Sequence, residues 1–189
     1  MGNLQTGSLF CRICIMFIIT TLAACSIDRD KGVDRNRFTF RTGDDTELFF
    51  KNIRQSDYDL EENEAAKLRV FRHEDRPQSD SIPYLSPAIV MNILRDEAYI
   101  LIEPSATLAD EDTIQVILHA ESRNDTLELS MMNRENNLEF ASQIYEHMQQ
   151  GGTFSVLDDG EFRPLMDEQK YRESFRVTIS DYYRLTRIY

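Results

Sequence analysis

The stretch Thr153-Phe154-Ser155-Val156-Leu157-Asp158-Asp159-Gly160-Glu161-Phe162-Arg163-Pro164-Leu165 reads as two short strands, Thr153 to Leu157 and Glu161 to Leu165, folded back around Asp-Gly. Asp-Gly is a strong signal for a two-residue hairpin turn, because both positions must accept left-handed backbone angles. A hairpin this late in a chain with no strand-helix-strand rhythm argues for antiparallel pairing. On its N-terminal side, Phe140, Ala141, Ile144, Tyr145 and Met148 recur at helical spacing. Asn137 is predicted to cap a helix over 138–150, which Gly151-Gly152 ends.

Further back, Ile114, Val116 and Leu118 alternate along one run, and Leu127, Leu129 and Met131 along another. This is the period of a strand with one face in the core. Ser122-Arg123-Asn124-Asp125 is read as the hairpin turn between them. Ala98 to Glu103 is a further strand, rich in Tyr, Ile and Leu, and Leu68 with Val70 marks another. Phe38 and Phe40 around Thr39, and Leu48 and Phe50 leading into Asn52 and Arg54, are expected as early strands. Beyond the hairpin, Asp167 is predicted to cap a short helix. Phe175, Val177 and Ile179 alternate like a strand over 175–180, although Phe175, Ile179, Tyr182 and Tyr189 also suit a helix. The expected fold class is α+β, a mostly antiparallel sheet with one or two helices in the C-terminal half.

The chain has 189 residues, of which 41% are hydrophobic and 29% charged, a size and composition suited to one globular domain. Arg12 is the only charged side chain before Cys25, so the chain from Cys25 onward has 20 Lys+Arg against 33 Asp+Glu, or −13. That charge repels phosphate backbones and anionic headgroups, which argues against a nucleic-acid partner and against membrane adhesion by charge alone.

The N-terminus offers another route to a membrane. Residues 13–24 form a 12-residue run without a charge directly after Arg12. As a helix the run spans about 18 Å, too short for a hydrocarbon core of about 30 Å but suited to an export signal. It ends in Leu22-Ala23-Ala24-Cys25, which resembles the lipobox of bacterial lipoproteins. The resemblance covers about the first 25 residues and nothing downstream. It implies cleavage before Cys25, lipid (palmitate or similar acyl chains) on Cys25, and attachment at the cell envelope. Ser26 after the cysteine implies the outer membrane rather than retention at the inner one.

The expected organisation is a signal peptide over 1–24, a lipidated Cys25 with a flexible tether over 25–36, and one α+β domain over 37–189. Cys11 and Cys14 fall in the discarded part, which leaves Cys25 without an internal disulfide partner. Met1-Gly2-Asn3-Leu4-Gln5-Thr6 also fits an N-myristoylation pattern, but that reading leaves the apolar run unexplained.

No catalytic constellation stands out. The acidic run Asp57 to Glu64 begins like a calcium-binding loop, yet Glu62 stands where a glycine must turn and Leu68 where a closing glutamate is needed. A solvated acidic loop is the expectation. His73, His119 and His147 lack metal-ligand spacing, no serine sits in a glycine-flanked elbow, and only Gly151 and Gly152 adjoin, so no metal and no cofactor is expected.

The C-terminus is the most distinctive surface candidate. Tyr171, Arg172, Arg176, Tyr182, Tyr183, Arg184, Arg187 and Tyr189 mix aromatic and cationic side chains, the composition enriched at protein-binding hot spots. Asn124-Asp125-Thr126 fits an N-glycan acceptor, and Ser81, Thr113 and Thr126 each follow an aspartate in a pattern that resembles an O-glycosylation motif of exported Gram-negative proteins.

The expected function is therefore a membrane-anchored envelope lipoprotein with a non-enzymatic binding or structural role toward an envelope protein. The alternative is a periplasmic or surface enzyme or ligand-binding module using carboxylates in a cleft.

Overall fold

A computed structural model describes residues 34–79, 81–120, 124–130 and 133–189. Two four-stranded antiparallel sheets and three helices make an α+β architecture that is mostly sheet. The first helix, α1 (Asp44–Phe49), runs on through a wider helical turn, Phe50–Arg54, and a tight one, Gln55–Asp57. The first sheet is a meander of β1 (Tyr58–Asn63), β2 (Leu68–His73), β3 (Leu85–Asn92) and β4 (Glu97–Pro104) in that order. The second consists of β5 (Ile114–His119), β6 (Asn124–Leu129), β7 (Thr153–Asp158) and β8 (Glu161–Leu165), ordered β6-β5-β7-β8. Helix α2 (Arg134–Gln149) connects β6 to β7, and α3 (Gln169–Leu185) follows β8.

Local chemistry explains several of these elements. Asp159 and Gly160 both hold positive φ, 51° and 80°, so the Asp-Gly turn joins β7 to β8 as a tight mirror-image turn whose twist matches the strands. Ile114, Val116 and Leu118 point inward from β5 while Gln115, Ile117 and His119 point away. Asn133 caps α2, its side chain accepting from Asn136 N, and Gly151 leaves the helix with φ 79°.

Helix α2 packs on β4 and β6, and α3 on β3, β4 and α2. One core results, in which Ile89, Ile100 and Ile102 of the first sheet and Val116, Leu129 and Val156 of the second share a cluster with Leu138, Ile144, Tyr145, Phe175, Ile179, Tyr182 and Tyr183. Burying each such side chain contributes about 1.5–3 kcal/mol.

Several expectations are corrected. Residues 175–180 are not a strand but the middle of α3, because Phe175, Ile179 and Tyr182 form a buried helical stripe while Val177 is half-exposed. The segment around Leu48 and Phe50 is helical for the same reason: Phe50 is buried, whereas Leu48 and Phe49 face out. Phe38 and Phe40 form no strand. They run beside β4, joined through Ala98 N, which donates to Phe40 O at 2.7 Å, and a single bridge of Arg41 to Glu97.

Asn137 is not the cap of α2 but lies inside it. The helix-starting position before α3 is Glu168 rather than Asp167, and α3 is 17 residues long rather than short. The acidic run is strand β1, not a loop. Of the turn expected at 122–125, Asn124 and Asp125 open β6 and the other two residues lie outside the described ones. Arg35, in the segment read as tether, is clasped by Glu139 at 2.7 Å and Glu146 at 2.6 Å.

Candidate functional site

Three of the acids of the run at 57–64 are paired on β1. Along β1, Glu62 pairs with Arg69 at 2.7 Å, Glu61 with Arg72 at 2.7 Å, and Asp59 with Arg76 at 2.6 Å. Arg72 also donates through two nitrogens to both oxygens of Glu103, each at 2.7 Å, which holds its guanidinium well above the ordinary value. Charged residues on an edge strand discourage pairing with another chain. Here they are neutralised by Arg69 and Arg72 of the neighbouring strand and by Arg76 just beyond it, rather than gathered around a cation. Among the described residues no group of three or more His, Cys, Asp or Glu side chains is placed to hold a metal ion.

A second set of charges is interior. Asp181 of α3 is buried and accepts from Arg54 Nε at 3.1 and 2.9 Å and from the Tyr58 hydroxyl at 2.9 Å. Burial, reinforced by the Asp181 charge, pushes the Tyr58 hydroxyl far above the usual phenol range. Burial opposes the Arg54 charge, but Asp181 outweighs it and leaves that guanidinium raised. The group ties α1 and β1 to α3. It opens into neither of the larger concavities described below, so its role is structural.

His73 stands apart from His119 and His147. His73 packs edge-on to Tyr58, with ring centroids 5.3 Å apart. His147 Nε2 donates to His119 O at 2.9 Å. His119 Nε2 lies 2.9 Å from Ser155 Oγ, the spacing of a nucleophile and its base, which sequence spacing gave no means to see. That pair lies on the outward face of the second sheet and lines neither of the larger concavities. It acts as a cross-strand hydrogen bond.

Among the described residues a concavity lies where the connection from β2 to β3 meets β8 and the first turn of α3. It has a volume of about 320 Å³. Tyr84 and Tyr171 supply aromatic walls, and Pro77, Pro83, Pro164 and Met166 much of the apolar lining. Arg163, Asp167 and Glu168 place charges of both signs around it.

Several contacts fix this cleft. Ser105 clamps Tyr84 from both sides, its N–H donating to Tyr84 O at 2.9 Å and its hydroxyl accepting from Tyr84 N at 3.2 Å. Met166 is buried and holds φ 58°, a left-handed conformation that costs a side-chain-bearing residue about 1–3 kcal/mol. That turn leads the chain from β8 into α3, whose Tyr171 lines the same concavity as Tyr84. Arg163 is held by Asp158 at 3.1 Å, and Lys170 lies over the Tyr171 ring at 4.7 Å. An apolar, aromatic hollow of this size with a charged margin suits one large side chain or a short extended segment.

The chain matches no protein-family model, no curated protein and no solved structure.

The structure gathers two of the sequence candidates at the cleft, Tyr171 in its wall and Ser81 at its mouth. It separates the others. Tyr182 and Tyr183 are fully buried, with hydroxyls donating to Thr39 O at 3.2 Å and to Ser142 Oγ at 2.8 Å, so they belong to the core and not to an exposed surface. Tyr189 is half-buried and meets the Tyr145 hydroxyl at 2.7 Å.

Arg172 donates to Gly152 O at 2.7 Å, Arg176 pairs with Glu173 at 2.6 Å, Arg184 lies 3.7 Å from Asp181, and Arg187 pairs with Asp45. Asn124 and Thr126 are exposed on β6, and Thr113 is half-buried just before β5. Cys25 lies outside the described residues. Sequence reasoning missed Pro77, Pro83, Tyr84, Pro164 and Met166. The one available signal was the pair Pro77 and Pro83 in a single turn-rich segment.

Proposed function

We propose that this chain is a bacterial envelope lipoprotein, lipidated on Cys25, whose domain is a non-enzymatic binding module for another envelope protein. The observation that carries the reading is the uncharged run over 13–24 ending in Leu22-Ala23-Ala24-Cys25. The cleft between Tyr84 and Tyr171 supports the binding role, since rigid aromatic side chains beside an apolar hollow provide contact area at low entropic cost. In this reading Tyr171 and Arg172 are the parts of the C-terminal set nearest the partner, and the acyl chains hold the domain at the outer membrane.

Metabolic labelling with a fatty acid tests the anchor: wild type takes up label and Cys25→Ala does not. A photo-crosslinking side chain at position 171, compared with one at exposed position 135 on α2, tests the cleft. Capture of one envelope protein from 171 and not from 135 supports the assignment, and equal capture from both removes it.

A further inference from the structure

Six of the eight large apolar side chains exposed among the described residues are carried by the first sheet and the helical segment that precedes it: Leu48, Phe49, Ile53, Leu60, Ile93 and Leu94. Backbone hydrogen bonds join the pieces that carry them. Ile93 N donates to Lys67 O at 3.2 Å, which sets the β3–β4 turn beside the β1–β2 turn. Thr42 N donates to Asp96 O at 2.9 Å, which sets the entry to α1 beside the same turn. A shallow concavity of about 300 Å³ containing Leu48, Phe71 and Met91 adjoins one of about 130 Å³ containing Leu68 and Ile93, with Arg69 common to both. Leu94, at the tip of its turn, is 75% exposed. Apolar clustering of this kind on a soluble domain marks a contact surface.

Paired and unpaired cations both occur around this platform. Arg41, Lys51, Lys67 and Arg95 are exposed and make no ion pair among the described residues, whereas Arg54, Arg69, Arg72 and Arg76 are all paired. The four free cations are matched in number by Asp44, Glu47, Glu64 and Asp96, while Asp45 is paired with Arg187 and Glu62 with Arg69, so this side is close to neutral in a mature chain of −13. It escapes the repulsion that anionic headgroups exert on the rest of the acidic body. Its cations are also free to meet phosphates.

We infer that the platform of α1 and the two turns rests on the bilayer surface, with Phe49, Ile53 and Leu94 entering the headgroup layer. The inference builds on the lipid anchor proposed above. Eight residues separate Cys25 from Asp34, a reach of at most about 29 Å, so a domain tethered there meets the bilayer at high effective concentration. Shallow insertion of a few apolar side chains is too weak to hold a protein alone, and it orients one that is already anchored.

The chain contains no tryptophan, and Cys25 is the only cysteine after residue 14, so both a reporter and an artificial anchor can be placed uniquely. The mature chain is coupled through Cys25 to a maleimide lipid in phosphatidylglycerol-containing vesicles with bromine on the acyl chains. The result expected is quenching of tryptophan emission on the order of twofold in Phe49→Trp, and again in Leu94→Trp, with Phe162→Trp on the second sheet unquenched. Neutralising Lys51, Lys67 and Arg95 to Gln is expected to weaken the contact on the order of fivefold per cation in anionic vesicles. Absence of quenching at both 49 and 94, or equal quenching at 162, overturns the inference, as does protection of position 49 by self-association in lipid-free buffer. Chemical coupling replaces native acylation, so these outcomes stand apart from the fatty-acid labelling of Cys25.

Discussion

Asn137 Oδ1 accepts a hydrogen bond from Ile102 N at 2.7 Å, joining the interior of α2 to the free edge of β4. An edge strand leaves alternate N–H groups without partners, and a buried one left unsatisfied costs about 1–3 kcal/mol. Asn137 is 1% exposed, and its Nδ2 donates back to Asn133 O at 2.8 Å, so both ends of the amide are used. Replacing Asn137 with Leu orphans the Ile102 N–H. The variant is expected to lose about 2 kcal/mol in urea unfolding, with an unchanged denaturant slope.

The Asp181 group should behave as a buried charge cluster. Asp181→Ala takes away the buried partner of Arg54, leaving it only the half-exposed Asp57 at 2.8 Å, and removes the acceptor of the Tyr58 hydroxyl, so it is expected to cost about 3 kcal/mol. Adding Arg54→Met to that variant is expected to recover part of the loss, because the guanidinium that had faced Asp181 is then gone while the Tyr58 hydroxyl still lacks its acceptor. Denaturant unfolding of the two single variants and the double variant checks this, and strictly additive losses would contradict the coupling.

The two adjoining glycines after α2 are predicted to differ. A Cβ on Gly152 would come within 2.0 Å of His147 Nε2, whereas one on Gly151 meets nothing within 4 Å and faces only the strain of φ 79°. Gly151→Ala is expected to cost about 1 kcal/mol. Gly152→Ala is expected to cost about 1–3 kcal/mol and to displace the His147 ring from His119 O. Thermal unfolding gives the costs, and the His147 ring resonances should move only in the second variant.

Alkaline pH is predicted to unfold the domain. Burial raises the Tyr58, Tyr182 and Tyr183 hydroxyls above the ordinary value of 10.0. Above that pH the unfolded chain releases these protons while the folded chain keeps them, so the unfolded state binds fewer and stability falls as pH rises. Below it the contribution is fully present. Each tyrosine adds a slope of up to about 1.4 kcal/mol per pH unit. Tyrosinate absorbance and loss of secondary structure should therefore appear together, and gradual titration in a folded protein would refute this.

Legibility in the sequence followed the locality of the forces. The β7–β8 hairpin was readable because its turn requires left-handed angles at two positions and Asp159-Gly160 provides them. Strands β2, β4 and β5 were readable because a half-buried strand must alternate. Strand β3 was not, since it is buried over both faces for most of its length and carries Pro87. The cleft was illegible because its lining comes from Pro77, residues 81–84 and residues 163–171, which are far apart in the sequence.

By itself the sequence determined the local turns, the alternating strands and the α+β class, for these depend on backbone angles and on the order of apolar and polar neighbours. Tertiary structure alone decided that Phe175, Ile179 and Tyr182 form a helix, that Asn137 secures a strand edge and that the acids of β1 face arginines. Each of those choices turns on which partner a side chain finds across the core. A short run such as Phe175-Arg176-Val177-Thr178-Ile179 fits periods of 2 and 3.6 alike, until burial of one face selects between them.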